Sequence, residues 1–148
     1  RRYYHSMLGV NSRLDTIQAA ILLAKLNILD SEIKFRSEVA RSYTQKMKGL
    51  THVECPIISN INRSAWAQFT LKANDRGQIQ KILKDNDVPT SVHYPMSLNQ
   101  QPAVADIETV CRNSDHLAET VLSLPMHAYL SDAVVNKITH LVSNSNCL

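Results

Sequence analysis

The chain is expected to fold as an α/β domain, and three observations point there. Signals for helix and strand follow one another in the order α–β–β–α–β–α–β–α, which fits helices packed against one mixed sheet, an α/β sandwich. The 148 residues suffice for one domain with a real core. Apolar residues make up 44% and charged residues 20%, a globular composition. No internal repeat or low-complexity segment interrupts the pattern.

Each element has its own justification. Ser12 or Asp15 can cap a first helix, and Leu14, Ile17, Ile21, Ala24 and Ile28 recur at helical spacing. Leu22, Leu26, Leu29 and Ile33 make a second stripe, so this helix is expected to be covered on two sides, by its own domain and by something else. The pattern continues through Val39, Ala40, Tyr43 and Met47 to Gly49, a natural stop. One long helix over most of residues 13–48 follows, with a break expected near Asp30-Ser31. Thr51–Cys55 reads as a short strand closed by Pro56, and residues 57–64 as a loop. Ala65–Lys72 alternates apolar and polar and reads as a strand. Asp75 caps a helix carrying Ile79, Ile82 and Leu83 that ends near Asn86. Pro89–Tyr94 reads as a strand closed by Pro95. A helix from Asn113 or Ser114 runs through Leu117, Val121 and Leu122, and Leu124–His127 reads as a last strand. Ser131 caps the final helix, with Val134, Val135, Ile138 and Leu141 inward. Residues 1–48 thus form the lead-in and connecting helix, and 49–148 a small α/β domain.

Composition also excludes function classes. Glycines at 9, 49 and 77 cannot build a dinucleotide or phosphate loop. A net charge of +3, spread along the chain, leaves no nucleic-acid footprint. No apolar run approaches the roughly 20 residues of a membrane helix. Cys55, Cys111 and Cys147 lack the spacing of a zinc site or a disulfide framework and read as free thiols of a reducing cytoplasm. His5, His52, His116, His127 and His140 show no metal-ligand spacing, so no metal is expected. The start, Arg1-Arg2-Tyr3-Tyr4-His5, has neither an initiator Met nor a signal-peptide core, which fits part of a longer protein.

Five motifs stand in a telling order. Gly9-Val10-Asn11-Ser12-Arg13-Leu14-Asp15-Thr16-Ile17-Gln18-Ala19-Ala20 comes first, then Ser64-Ala65-Trp66-Ala67-Gln68-Phe69-Thr70. Val88-Pro89-Thr90-Ser91-Val92-His93-Tyr94-Pro95, Gln101-Pro102-Ala103 and Leu124-Pro125-Met126-His127-Ala128-Tyr129-Leu130 follow. In order and spacing, over about residues 1–142, this resembles the C-terminal portion of the DegT/DnrJ/EryC1/StrS sugar aminotransferases. Within that family it looks most like the branch that aminates UDP-2-acetamido-2-deoxy-ribo-hexuluronate, a UDP-linked 3-keto uronic acid of surface polysaccharide synthesis.

The resemblance implies a fold-type I aminotransferase whose large, cofactor-binding domain lies N-terminal to Arg1. It implies pyridoxal phosphate as cofactor, glutamate as amino donor, a UDP-sugar substrate and a cytoplasmic homodimer with shared active sites. Asn11 would contact the cofactor phosphate in the other subunit's site. Arg13 would reach the sugar across the same interface. His93 and Tyr94 would line the rim of the sugar pocket. No catalytic residue falls in this chain, because none of its lysines sits in the context of the Schiff-base lysine, and the chain alone is expected to be inactive. Ala128 departs from the family, which usually has Pro there; the change bears on stiffness more than chemistry.

The residue types suit these roles. A guanidinium presents a planar donor fork to a carboxylate. An Asn amide donates to a phosphate oxygen without adding charge, and His and Tyr join a polar tip to an apolar body. Taken without the resemblance, Asn11 reads as a turn residue and Arg13 as a solvated side chain, slightly disfavoured near a helix N-terminus. His93 and Tyr94 then read as strand-end packing, and Trp66 as core. Two other readings stay open. One is a noncatalytic interaction module, given the apolar first helix. The other is a sugar dehydratase on the same scaffold, with His in place of the Schiff-base lysine.

Overall fold

A computed structural model of the chain describes residues 3–10, 12–104 and 109–145. Its elements are α1 (Thr16–Leu26), α2 (Leu29–Lys46), β1 (Val53–Glu54), β2 (Phe69–Ala73), α3 (Arg76–Asp85), α4 (Arg112–Thr120), β3 (Val121–Leu124) and α5 (Asp132–Asn144), with a short 3-10 turn at Leu98–Gln100. The α/β class stands, but the sheet is not mixed. Among the described residues it has three strands in the order β1-β2-β3, all antiparallel.

Register explains the core. Phe69 faces Leu124, Leu71 faces Leu122 and Ala73 faces Val53, so each pair puts apolar side chains together. Tyr43 of α2, Leu83 of α3, and Val135, Ile138 and Val142 of α5 complete the fully buried set. Tyr43 and Trp66 flank the Phe69 ring at 4.9 and 5.7 Å between centroids. Trp66 is therefore core-side packing, as its type suggests.

Caps placed by sequence are present. Asp75 Oδ1 accepts from Gln78 N at 2.9 Å and Ser131 Oγ from Val134 N at 3.4 Å, opening α3 and α5. Gly49 stops the α2 segment at φ +89°, a conformation that suits glycine.

Several boundaries differ from expectation. The long helix breaks at Asn27-Ile28 rather than Asp30-Ser31, where Ile28 takes ψ near 0 and its N–H turns back to the Lys25 carbonyl. Leu14 lies outside α1, because Asp15 takes the extended cap conformation. The strand expected from Ala65 starts at Phe69, since Trp66 sits at φ +49° and cannot continue an extended run. Pro89–Tyr94 forms no strand. Pro89 has no N–H to pair, and only Ser91 bridges to Ser123 on the outer edge of β3. Val121 and Leu122 leave the fourth helix for β3, and the strand expected at Leu124–His127 lies three residues earlier. Pairing with β2 buries Leu122, and Pro125 ends the ladder. In α5, Val134 is exposed and Val142 is buried, so the inward stripe is Val135, Ile138, Thr139 and Val142.

The largest difference concerns α1. None of its residues is buried; Ile17, Ile21 and Leu26 are 75%, 56% and 59% exposed. Its own domain leaves the α1 part of both stripes bare, because the contacts of α1 run to α2 around the break while the core begins at Val39.

Tyr43 carries a pH prediction. Burial pushes its phenol above the ordinary tyrosine range, and its hydroxyl donates to the Pro125 carbonyl at 3.0 Å. The unfolded chain releases this proton first, so the contribution is intact below pH ~10 and stability falls as pH rises above it. Tyr43→Phe should flatten that alkaline decline while losing about 1 kcal/mol at neutral pH. Urea unfolding across the range checks this, and an equally steep decline in the variant would refute it.

Candidate functional site

The loop bearing Arg13 is held by a reciprocal cap. Asp15 Oδ1 accepts from Gln18 N at 2.8 Å, and Gln18 Oε1 accepts from Leu14 N at 3.3 Å. Leu14 sits at φ +73°, a left-handed conformation costly for a branched side chain. The cap holds this turn and sets where the chain turns into α1. Arg13 itself is exposed and lines a shallow concavity of about 250 Å³ with Ser12, Leu14, Asp15 and Gln18. Among the described residues it has no ion-pair partner. Asn11 lies outside the described residues.

His93 and Tyr94 lie in the segment that leaves the Ser91 bridge. Their rings meet edge-on at 5.7 Å, and Tyr3 packs edge-on against both, at 6.4 Å from His93 and 5.7 Å from Tyr94. His93 is half-buried and lines a concavity of about 220 Å³ with Gln68, Thr90, Ser91, Ser123 and Met126. Tyr94 is 63% exposed. The structure thus sets the His93 and Tyr94 rings edge to edge, places only His93 on its concavity, and leaves Arg13 in a separate one that shares no lining residue with it.

Sequence reasoning missed what places Tyr3. Gln101 is buried, and its side-chain amide bonds two backbone groups of the N-terminal segment. Its Oε1 accepts from His5 N at 3.1 Å and its Nε2 donates to the Tyr3 carbonyl at 3.0 Å. Ala103 N adds a bond to the His5 carbonyl at 3.0 Å. Gln101 therefore acts as a substitute strand residue. The Gln101-Pro102-Ala103 motif was visible, but nothing local to it signals a partner almost a hundred residues away.

A pyridoxal phosphate site needs a lysine shielded from water beside an anion cradle. All eight lysines here are exposed, and Lys25, Lys72, Lys81 and Lys137 already engage Glu32, Glu54, Asp85 and the Asn86 carbonyl. The described residues do not form a pyridoxal phosphate site by themselves. Nor do three or more His, Cys, Asp or Glu side chains converge as a metal site among them. No helix among them is long and apolar enough to cross a membrane.

The sequence profile of the DegT/DnrJ/EryC1/StrS aminotransferase family matches residues 1–143. The chain belongs to that family. A UDP-2-acetamido-2-deoxy-3-oxo-D-glucuronate aminotransferase of Pseudomonas aeruginosa is 46% identical over 144 residues, covering 97% of this chain and 40% of that protein. A family aminotransferase from Brucella abortus, solved as a crystal structure, superposes with a TM-score of 0.80 at 37% identity, covering 96% of this chain and 38% of that one. DesV of S. venezuelae, solved in complex with a ketimine intermediate, gives 0.84 at 30% identity, with 97% and 40% covered. The chain thus spans about two fifths of the family members it matches. The fold is that of the α/β portion of those aminotransferases on which it superposes.

Proposed function

We propose that this chain is the C-terminal portion of an aminotransferase that transfers an amino group, with glutamate as donor, to a UDP-linked 3-keto uronic acid for surface polysaccharide synthesis. Its part is recognition. Residues 1–48 carry Asn11 and Arg13 toward the active site of a second subunit, and residues 49–148 form the small domain with His93 and Tyr94 on the sugar rim. In the full-length homodimer, acting in the cytoplasm, pyridoxal phosphate would supply the electron sink, and Asn11 would donate to its phosphate.

The observation that carries this reading is Arg13. Its guanidinium stands on a capped turn, exposed and unmatched by any described acid of its own chain. A cation carried on a capped turn, exposed and left without an ion-pair partner among the described residues, is available to an anion from elsewhere, and a uronate carboxylate matches its donor fork. The relative named for a 3-oxo-glucuronate supports the substrate class.

The test compares the full-length protein with the 148-residue chain, using the UDP-3-keto uronate and glutamate and following 2-oxoglutarate release. The full-length protein is expected to turn over and the chain alone to be silent. Turnover by the isolated chain, or no preference of the full-length protein for the uronate over the neutral 3-keto sugar, would sink the proposal. The bare face of α1 also favours self-association of the isolated chain. Light scattering should show its mass rising with concentration, and a strict monomer would speak against that.

A further inference from the structure

We propose that Glu32 is a positioning residue, latching the elbow between α1 and α2 to the loop ahead of α5 and thereby setting where Arg13 meets the substrate. The link to substrate rests on the function proposed above; the latch itself does not.

Within this chain, α1 is joined to the rest of the domain through the elbow. No side chain of α1 is buried, so the core does not hold it. Its far end bears the Asp15 cap and the Arg13 turn. Eleven residues of helix make a lever of about 16 Å, so a rotation of about 10° at the break moves that end by about 3 Å. Displacements of that size at a substrate-binding side chain weaken its contact.

Glu32 stands one turn past the break. Among the described residues it is the only buried carboxylate, 8% exposed on an otherwise largely exposed stretch of helix. Removing a carboxylate from water is unfavourable unless it is bonded. Its Oε1 accepts from the Tyr129 hydroxyl at 3.1 Å and lies 3.9 Å from Lys25 Nζ. Lys25 is in the last turn of α1, Glu32 in the first of α2, and Tyr129 in the loop that precedes Ser131 and α5. One carboxylate therefore ties both sides of the break to the body of the domain. The bond and charge of Glu32 hold the Tyr129 phenol above its usual range, while Arg36 one turn on acts against them. A purely local role would not require a 97-residue reach from Glu32 to Tyr129.

The experiment uses the full-length protein with its accessible cysteines replaced and spin labels on Ala20→Cys of α1 and Asn136→Cys of α5. Labelled chains are diluted into unlabelled protein, so that only distances within one chain are read. Tyr129→Phe changes an exposed side chain and should fold normally; Glu32→Gln is the second variant. Both are expected to shift or broaden the α1–α5 distance. Both should also raise KM for the UDP-3-keto uronate about fivefold, with kcat little changed, because the sugar contact is misplaced and the chemistry is not. An unchanged distance in both variants overturns the latch. A changed distance with unchanged KM, where Arg13→Ala does raise KM, overturns the link to Arg13. If Arg13→Ala leaves KM unchanged, the role proposed for Arg13 fails, and the distance measurement still decides the latch.

Discussion

Replacing Arg13 with Ala in the full-length enzyme is expected to raise KM for the UDP-3-keto uronate about a hundredfold, while leaving the fold intact. A hydrogen-bonded contact to a charged group contributes about 1.5–3 kcal/mol, and ~2.7 kcal/mol corresponds to about a hundredfold. Stability should change by less than ~0.5 kcal/mol, because Arg13 is exposed and has no ion-pair partner among the described residues. Arg13→Lys should recover only part of the loss, since an ammonium keeps the charge but not the planar fork. Steady-state kinetics on the uronate and on the neutral sugar check this together. A loss of equal size on both sugars would show that Arg13 does not read the carboxylate.

Phe69→Ala is expected to cost the small domain about 3–5 kcal/mol, the largest stability effect at any single position considered. Phe69 has no exposed surface, and its ring lies between Tyr43 and Trp66. Its strand partner Leu124 fills the other side of the register. Truncation leaves a cavity bounded by α2, β3 and the Trp66 turn, three elements whose backbones are tied and cannot close on it. Set against a typical total of about 5–15 kcal/mol, the variant should be largely unfolded at moderate urea. Urea titration by circular dichroism measures the loss, and a value below about 1 kcal/mol would show that these rings do not form the centre of the core.

How much of this was legible depended on whether the deciding force was local. Asp75 and Ser131 mark their helices correctly because a cap is settled within three residues. Gly49 marks its stop because a positive φ is a single-residue property. Val121 and Leu122 were misplaced because they fit the period of the helix before them. Pairing with Leu71 and Lys72, fifty residues earlier, decides otherwise. The apolar stripes of α1 were legible as stripes, but periodicity says only that a face needs cover, not what covers it. At the site, Asp15 and Gln18 could be read as helix-start residues from their spacing. The positive φ of Leu14 could not, since leucine is not a residue that announces it. His93 and Tyr94 were named through motif order, whereas Tyr3, which packs on both, carried no signal.

The hold of Gln101 on Tyr3 and His5 has a consequence for the newborn chain. Those bonds join residues 96 and 98 positions apart. At about 5–20 residues per second on the ribosome, residues 3–5 emerge some 5–20 s before their acceptor and donor exist. During that interval the Gln101 amide that holds the segment is missing. The clasp can form only once the loop around Pro102 has been made, so the beginning of this portion waits on a side chain 96 to 98 positions later.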